Sequence, residues 1–132
     1  MPLSQERPDF RHVPRAVDAA GRVTINARRL ERSFFLDAGT LVEDWRPARV
    51  DELAAEDFAA LLALRPAVIL LGTGPRLRFP AASVRAAVLV HGVGLEVMDN
   101  AAAARTFMVL AAEGRAVVAA FLVDPAEADG LG

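Results

Sequence analysis

The second half of the chain alternates between continuous apolar runs and segments with the period of a helix. Residues 67–71 are apolar throughout, which is typical of a strand covered on both faces of a sheet. The predicted elements, in chain order, are a strand at residues 67–71, a helix from Pro80 to Gly92, a strand at 94–98, a helix from Asp99 or Asn100 to Glu113, and a strand at 116–123. Right-handed crossovers between them predict a parallel sheet with helices packed against it.

Shorter strand signals precede this core. Residues 22–26 predict a strand, and residues 33–36 and 40–45 flank a loop whose third residue is Gly39. A glycine at that position suits a three-residue hairpin, because it accepts the left-handed backbone conformation. Residues 54–64 carry apolar residues on one helical face and predict a helix. The N-terminal third is therefore predicted to contain a small antiparallel β unit.

Together these patterns predict one three-layer domain of the α/β class. It has a parallel strand-helix-strand-helix-strand core and an N-terminal antiparallel β unit. We expect this domain to span residues 21–124, because one hydrophobic core serves a chain of 132 residues well. Residues 1–20 contain three prolines and show no period, and they are predicted to be an irregular N-terminal segment. Residues 125–132 are predicted to be a frayed tail.

The composition excludes several classes of chemistry. The 132 residues include no cysteine, lysine or tyrosine, so thiolate nucleophiles, Schiff-base lysines and disulfides are ruled out. The two histidines, His12 and His91, are far apart, and we predict no metal site, no cofactor and no catalytic residue. A formal net charge of −2 argues against a nucleic-acid partner. No apolar run approaches the roughly 20 residues of a membrane span, and without an apolar signal region at the N-terminus we expect a cytoplasmic protein.

One candidate ligand site lies after the first parallel strand, where open α/β sheets usually bind ligands. A Gly-x-Gly pair there can bring the backbone close to a phosphate, although the third glycine of a dinucleotide motif is missing. A tight structural turn is the simpler interpretation, and a ligand cradle is the alternative. The residues of this candidate crevice are Gly72, Thr73, Gly74 and Arg76 after the first strand, and Met98, Asp99 and Asn100 after the second. Arg76 and Arg78 are either solvated loop charges or a means of attracting an anionic ligand or an acidic partner.

Glu96 interrupts a strand that is predicted to be enclosed by helices. A buried carboxylate needs a neutralising partner, and Arg105 and Arg115 are the candidates. Glu113 lies in the last turn of a helix, where an acidic side chain opposes the helix dipole unless an arginine compensates it. We therefore predict a buried ion-pair network of Glu96, Arg105, Glu113 and Arg115, which is either a structural scaffold or part of a binding site.

The segment from Gly94 to Val117 resembles the small α/β family that includes mitochondrial complex I assembly factor three and uncharacterised bacterial and archaeal relatives. That family's pattern runs approximately Gly-x-Glu-x-Met-Asp-Thr, then Ala-Cys-Arg-Thr-Tyr-Asn, then Glu-Gly-Arg. The polar positions that match are Glu96, Asp99, Arg105, Thr106, Glu113 and Arg115. The departures are Asn100 for threonine, Ala104 for cysteine, Phe107 for tyrosine and Met108 for asparagine. Chemistry that depends on that cysteine or tyrosine cannot operate here.

The resemblance implies a three-layer α/β domain without an established catalytic activity. It also implies a non-enzymatic role in assembling a respiratory membrane complex, with subunits or assembly factors of that complex as protein partners. This hypothesis predicts an exposed apolar or charged patch rather than a deep pocket. The alternative is a protein or enzyme that binds a small anionic ligand in the crevice at the carboxyl ends of the parallel strands. That alternative predicts a concave pocket lined by Glu96 and Arg105.

Overall fold

The computed structural model describes residues 11–131, with side chains described through residue 128. The strands are β1 (Pro14–Val17), β2 (Val23–Ile25), β3 (Arg28–Leu30), β4 (Phe34–Leu36), β5 (Leu41–Glu43), β6 (Val68–Gly72), β7 (Gly94–Met98) and β8 (Val117–Phe121). The helices are α1 (Ala59–Leu62), α2 (Ala82–Leu89), α3 (Asn100–Ala112) and α4 (Pro125–Leu131). Two 3₁₀ helices lie at Val50–Glu52 and Ala55–Phe58, and the second continues directly into α1.

These strands form two sheets. β1, β2 and β3 make an antiparallel sheet, and the second sheet has the order β5-β4-β8-β6-β7. In the second sheet β6 lies between β7 and β8 and runs parallel to both, while β4 pairs antiparallel with β8. This mixed architecture confirms the predicted α/β fold class. The predicted N-terminal antiparallel unit divides in two, however, because the β4–β5 hairpin extends the main sheet instead of joining β1–β3.

The central strands β6 and β8 of the five-stranded sheet are covered on both faces, which explains why they are apolar throughout. Along β6, Leu70 packs with α3 and the three-stranded sheet, whereas Ile69 and Leu71 pack with α2, α1 and the preceding 3₁₀ helix. Successive side chains of a strand point to opposite faces, so both layers receive apolar groups. On the α3 side, Phe34 of β4 stacks on Phe121 of β8 with ring centroids 4.9 Å apart. This contact joins the hairpin to the parallel strands.

Three predicted segments differ in the structure. Residues 14–17 of the predicted irregular segment form β1, a strand whose proline and arginine obscure its alternation; residues 1–10 lie outside the described residues. The predicted frayed tail forms α4 from Pro125 to Leu131. The helix predicted at residues 54–64 is a 3₁₀ helix followed by a single α-helical turn. These elements are short, so each carries only a weak periodic signal in the sequence.

Trp45 anchors the chain that leads into α1. Its ring packs edge-on against Phe35 and Phe58, with centroids 6.3 and 5.7 Å away, respectively. Its indole N–H donates to the carbonyl oxygen of Asp57 at 2.9 Å. The aromatic cluster therefore joins the hairpin strand β4 to the 3₁₀ helix and satisfies the polar end of a buried tryptophan.

The carboxyl group of Asp57 is also held in this unit. Its side chain is only 6% exposed. It accepts hydrogen bonds from Nε of Arg46 at 2.8 Å and from the backbone N–H of Ala54 at 2.8 Å. The hydrogen bond from Arg46 holds the pKa of the Asp57 carboxyl below its usual value, against the opposing effect of burial. A buried carboxylate paired with arginine was predicted at Glu96. The structure has such a carboxylate at Asp57 instead.

We predict that Asp57→Asn lowers the free energy of unfolding by about 1–2 kcal/mol at neutral pH, because it removes a charged hydrogen-bond acceptor from a buried site. Since the pKa of Asp57 is lowered in the folded state, this stabilisation exists above the unfolded-state pKa and is lost as the pH falls through the folded-state pKa. Urea denaturation of both proteins at decreasing pH measures the effect. The two stabilities should begin to converge below about pH 4.

Asp51→Asn is the matched control. Asp51 also pairs with an arginine, Arg49, but both side chains are more than half exposed, and such surface pairs contribute little to stability. A deficit of Asp57→Asn that stays constant through the acid range would contradict the proposed linkage to the charge of Asp57.

Candidate functional site

The carboxyl ends of β6 and β7 lie where the connections of the sheet diverge. The connection from β6 passes through α2 to β7 on one face, and the connection from β7 passes through α3 to β8 on the other. Neighbouring strand ends of this kind form a topological switch point, the usual ligand position in an open α/β sheet. The predicted crevice residues all lie at this edge, which we call the carboxyl edge.

Asn100 is completely buried at the carboxyl edge and links three segments of the chain. Its Oδ1 accepts from the backbone N–H of Gly74 at 3.0 Å. Its Nδ2 donates to the carbonyl oxygens of Leu122 at 2.9 Å and Gly21 at 2.8 Å. Its backbone N–H donates to the Gly74 carbonyl at 2.9 Å. Asn100 thus holds together the loop after β6, the end of β8 and the turn between β1 and β2, with its side-chain oxygen and nitrogen both hydrogen-bonded.

Two glycines make room for this arrangement. A Cβ on Gly72 would lie 2.3 Å from Oδ1 of Asn100, so glycine leaves the space that the amide occupies. Gly21 has a φ of +87°, and a Cβ there would lie 2.9 Å from Pro75. The first glycine of the Gly-x-Gly pair is therefore required by an internal amide, which favours the structural-turn interpretation of this motif.

The other predicted crevice residues are engaged at the same edge. The Thr73 hydroxyl donates to the carbonyl of Arg76 at 2.7 Å and accepts from the N–H of Arg78 at 3.1 Å. The backbone N–H of Thr73 donates to the carbonyl of Met98 at 2.9 Å. Asp99 accepts from a backbone N–H of α3 at 2.8 Å and caps that helix. The structure brings the predicted residues together, many through bonds to one another, and their role in ligand binding stays a prediction.

A cavity of about 460 Å³ opens at the carboxyl edge, on the α2 face of the sheet. Thr73 and Gly74 of the predicted crevice line it. Its apolar wall comes from separate parts of the chain: Val50 and Leu53 before α1, Phe79 from the loop after β6, Val84 of α2, and Leu122 after β8. A cavity of this size with an apolar wall can hold a small ligand or an apolar side chain of a partner.

The charged side chains around this cavity pair mainly with each other. Arg49 pairs with Asp51 (Nη2 to Oδ2, 2.5 Å), and Arg76 pairs with Glu127 at 3.4 Å. The hydrogen bond from Arg49, with a smaller contribution from the charge of Arg78, holds the pKa of Asp51 below its usual value. Arg78 forms no ion pair closer than 4 Å with any residue of the described chain. Its guanidinium is therefore the least engaged positive charge at the cavity.

The predicted buried network is wrong. Glu96 is exposed, because β7 is the edge strand of the five-stranded sheet and is not enclosed between layers. Arg105, Glu113 and Arg115 are exposed as well, and no ion pair joins any two of the four within residues 11–128. The cavity at the carboxyl edge is lined by neither Glu96 nor Arg105. Because Glu113 is exposed, solvent screens its unfavourable interaction with the helix dipole.

Two apolar residues of the loop between β6 and α2 were not predicted as part of a site. Leu77 is 49% exposed, and Phe79 is 70% exposed and lines the cavity. The sequence Arg76-Leu77-Arg78-Phe79 carried a signal, because large apolar residues alternate there with arginines in a loop that has no strand or helix period. Apolar side chains in such a loop indicate a binding surface.

The described residues provide no cluster for metal chemistry at this edge. Within residues 11–128, no three side chains of the His, Cys, Asp and Glu types are grouped so that they could hold a metal ion.

The buried hydroxyl of Ser33 accepts from the N–H of Val123 at 2.9 Å and thus supports β8. Among the described helices, none combines the length and apolar content needed to cross a bilayer.

Replacing Asn100 tests how far the carboxyl edge depends on its amide. Asn100→Ala leaves the Gly74 N–H and two carbonyl oxygens without their partner, and each unsatisfied buried group costs about 1–3 kcal/mol. We therefore expect the free energy of unfolding to fall by about 3 kcal/mol or more, measured by urea denaturation. Asp99→Ala is the adjacent control, since it removes only a helix cap and should cost about 1 kcal/mol. Equal losses for the two variants would contradict the central position of Asn100.

Solved structures of similar proteins share this fold. XCC1710 from Xanthomonas campestris is 49% identical, with a TM-score of 0.81 over 95% of this chain and 94% of that one. A protein from Bordetella parapertussis is 33% identical, with a TM-score of 0.77 over 86% of this chain and 96% of that one. A Mth938-like domain from Bordetella pertussis is 29% identical, with a TM-score of 0.71 over 86% of each chain. No curated protein matches the sequence significantly.

A family model described as a protein of unknown function (DUF498/DUF598) matches residues 18–122. The match runs from the turn before β2 through the end of β8, so it includes the five-stranded sheet and the segments that Asn100 joins. This chain therefore belongs to the DUF498/DUF598 family.

Proposed function

We propose that this protein is a non-enzymatic binding protein that accepts an apolar side chain of a protein partner in the cavity at the carboxyl edge. The observation that carries the proposal is Phe79, whose side chain is 70% exposed beside an apolar wall. Aromatic residues next to pockets are typical anchors of protein interfaces, because they bury a large area with few rotatable bonds. A partner that fills the cavity would also cover Phe79.

The polar groups around the cavity support binding rather than catalysis. The Thr73 hydroxyl is held between two backbone groups. The carboxylates of Asp51 and Glu127 face arginines in ion pairs. A nucleophile needs a base beside it, and a general base must be able to exchange a proton with a substrate. Groups engaged in these structural contacts are poorly placed for either task.

Assembly of a respiratory membrane complex is the specific role that we propose for this binding. Its support is the resemblance of residues 94–117 to the family that includes mitochondrial complex I assembly factor three. An assembly factor recognises surfaces that are later buried inside a complex, and obligate interfaces of that kind are more apolar than ordinary protein surface. The apolar wall of the cavity is complementary to such a surface. The partner would be a subunit or another assembly factor of the complex.

Phe79→Ser is expected to reduce the recovery of partner proteins from native lysate of the source organism, measured by affinity purification with quantitative mass spectrometry. Because Phe79 is exposed, the variant should keep the wild-type melting temperature within a few degrees. Val42→Ser is the matched control, since Val42 is an exposed apolar residue of edge strand β5 that does not line the cavity. Undiminished recovery with Phe79→Ser would overturn docking at the cavity.

Arg78 favours a second candidate function, the binding of a small carboxylate that carries an apolar chain. Its guanidinium lies at a cavity with an apolar wall and forms no ion pair with the described residues. A carboxylate bound there would pair with Arg78 while its chain lies against Leu53 and Val84. Small-molecule sites commonly combine an apolar wall with one charged group in this way.

Octanoate should raise the melting temperature in a thermal-shift experiment if this second function applies, because a ligand of the native state stabilises it. Arg78→Met should abolish the shift, whereas Arg85→Met, on the exposed surface of α2, should retain it. Octanol is the uncharged control ligand. A melting temperature that does not respond to octanoate would eliminate this candidate and leave the protein-binding proposal in place.

A further inference from the structure

A second concave surface lies between strand β1 and helix α3, on the face of the five-stranded sheet opposite to α2. We call it the β1–α3 groove. Its volume is about 600 Å³. It is lined by β1 from Pro14 to Val17 and by Ala101, Ala104, Arg105, Met108 and Val109 of α3. The helical residues recur at intervals of three and four positions, so they form a continuous stripe along α3.

The β1–α3 groove exposes apolar surface to solvent. Val109 is 57% exposed, Ala16 is exposed, and Met108 and Val17 are half-buried. β1 is an edge strand that pairs only with β2 within the described chain. One wall therefore presents apolar side chains of a helix, and the other presents a strand with an unpaired edge. Both features are used elsewhere to bind segments of partner proteins.

The charges of the groove have one sign. Arg15 on β1 and Arg105 on α3 are exposed and form no ion pair with any described residue, and within residues 11–128 no acidic side chain lines the groove. The nearest acid after β1, Asp18, is engaged by Arg22 at 2.8 Å. Glu113 follows the end of α3 and does not line the groove. An apolar surface with uncompensated positive charge on both walls is complementary to an apolar segment that carries carboxylates.

We infer that the β1–α3 groove docks a short segment of a protein partner that combines apolar and acidic side chains. The apolar side chains would lie against Ala104 and Met108, and the carboxylates would reach Arg15 and Arg105. The stripe from Ala101 to Val109 is about 12 Å long, so the occupant spans about two helical turns or four extended residues. This groove is separate from the cavity beside Phe79, and the protein would hold two partner segments on different faces.

The charge pattern favours this occupant over a membrane or a second copy of the chain. Anionic membranes attract clusters of about four to eight basic residues, whereas the groove offers two in a chain of net charge −2. A symmetric dimer through the groove would bring its arginines close to the same arginines of the other copy. Like charges at a two-fold interface repel each other, and no acidic side chain of the described part of the chain lines the groove to compensate them.

Fluorescence polarisation with labelled peptides tests the inference. The probe is an amphipathic peptide of about three helical turns with leucines on one face and glutamates beside them, and its control carries lysine in place of each glutamate. We expect the glutamate peptide alone to bind, with an affinity that falls as salt is added. The Arg15→Glu/Arg105→Glu double variant should bind it roughly tenfold or more weakly, because attraction becomes repulsion at both walls.

Arg85→Glu makes the same charge change on the exposed surface of α2 and should cause a much smaller loss. Equal binding of the two peptides, undiminished binding by the double variant, or no binding of the glutamate peptide would overturn the inference. Binding to phosphatidylglycerol vesicles that the double variant loses, without peptide binding, would assign the groove to a membrane. A dimer seen by light scattering that the double variant converts to monomers would assign it to self-association. Either result would also overturn the inference.

The result of the peptide-binding experiment does not depend on whether a partner docks at the cavity beside Phe79. Phe79→Ser should bind the glutamate peptide with wild-type affinity, because Phe79 does not line the β1–α3 groove. Failure of partner capture through Phe79 and failure of peptide binding in the groove are thus separate results.

Discussion

The carboxyl edge of this fold depends on one buried amide. Asn100 offers one acceptor and two donor positions, and the surrounding backbone presents one N–H and two carbonyl groups to them. The match is possible because Gly72 has no side chain where the amide lies. Threonine, which the resembling family usually has at this position, offers a single donor and cannot bond both carbonyl groups. The amide therefore ties the turn between β1 and β2 to the end of β8 as well as to the loop after β6.

The sequence predicts the parallel core well, because two of its strands are buried on both faces and its long helix has clear caps. The apolar run that includes Leu70 has no polar position, and Asp99 caps α3 as its side chain suggests. The error at Glu96 has a physical origin. The burial of a strand depends on its place in the sheet, and chain order does not reveal that β6 is central and β7 is at the edge. The charged residue in β7 is what an exposed edge strand commonly carries.

The position of the cavity was easier to predict than the residues that form its wall. The switch-point rule pointed to the carboxyl edge, and Thr73 and Gly74 line the cavity there, whereas their role in ligand binding stays a prediction. The polar residues predicted for that edge, Thr73, Asp99 and Asn100, bond to the backbone, however. Much of the apolar wall comes instead from Leu53, Val84 and Leu122. These are ordinary core-type residues, and only the tertiary structure brings them to one place. Phe79 was the exception, since a large apolar residue that follows an arginine in a loop without strand or helix period has no local structural role.

The cavity and the β1–α3 groove lie on different faces of one sheet, and the same buried amide relates them. Asn100 begins α3, whose side chains form one wall of the groove, and its side chain bonds to the turn that connects β1 to β2. It also bonds to Gly74 and Leu122, which line the cavity. Movement of α3 would therefore disturb the hydrogen bonds at the cavity, because the Asn100 amide bonds directly to these segments. A sheet with both faces fixed in this way can hold the cavity and the β1–α3 groove in a constant relative position, as simultaneous binding at both proposed sites would require.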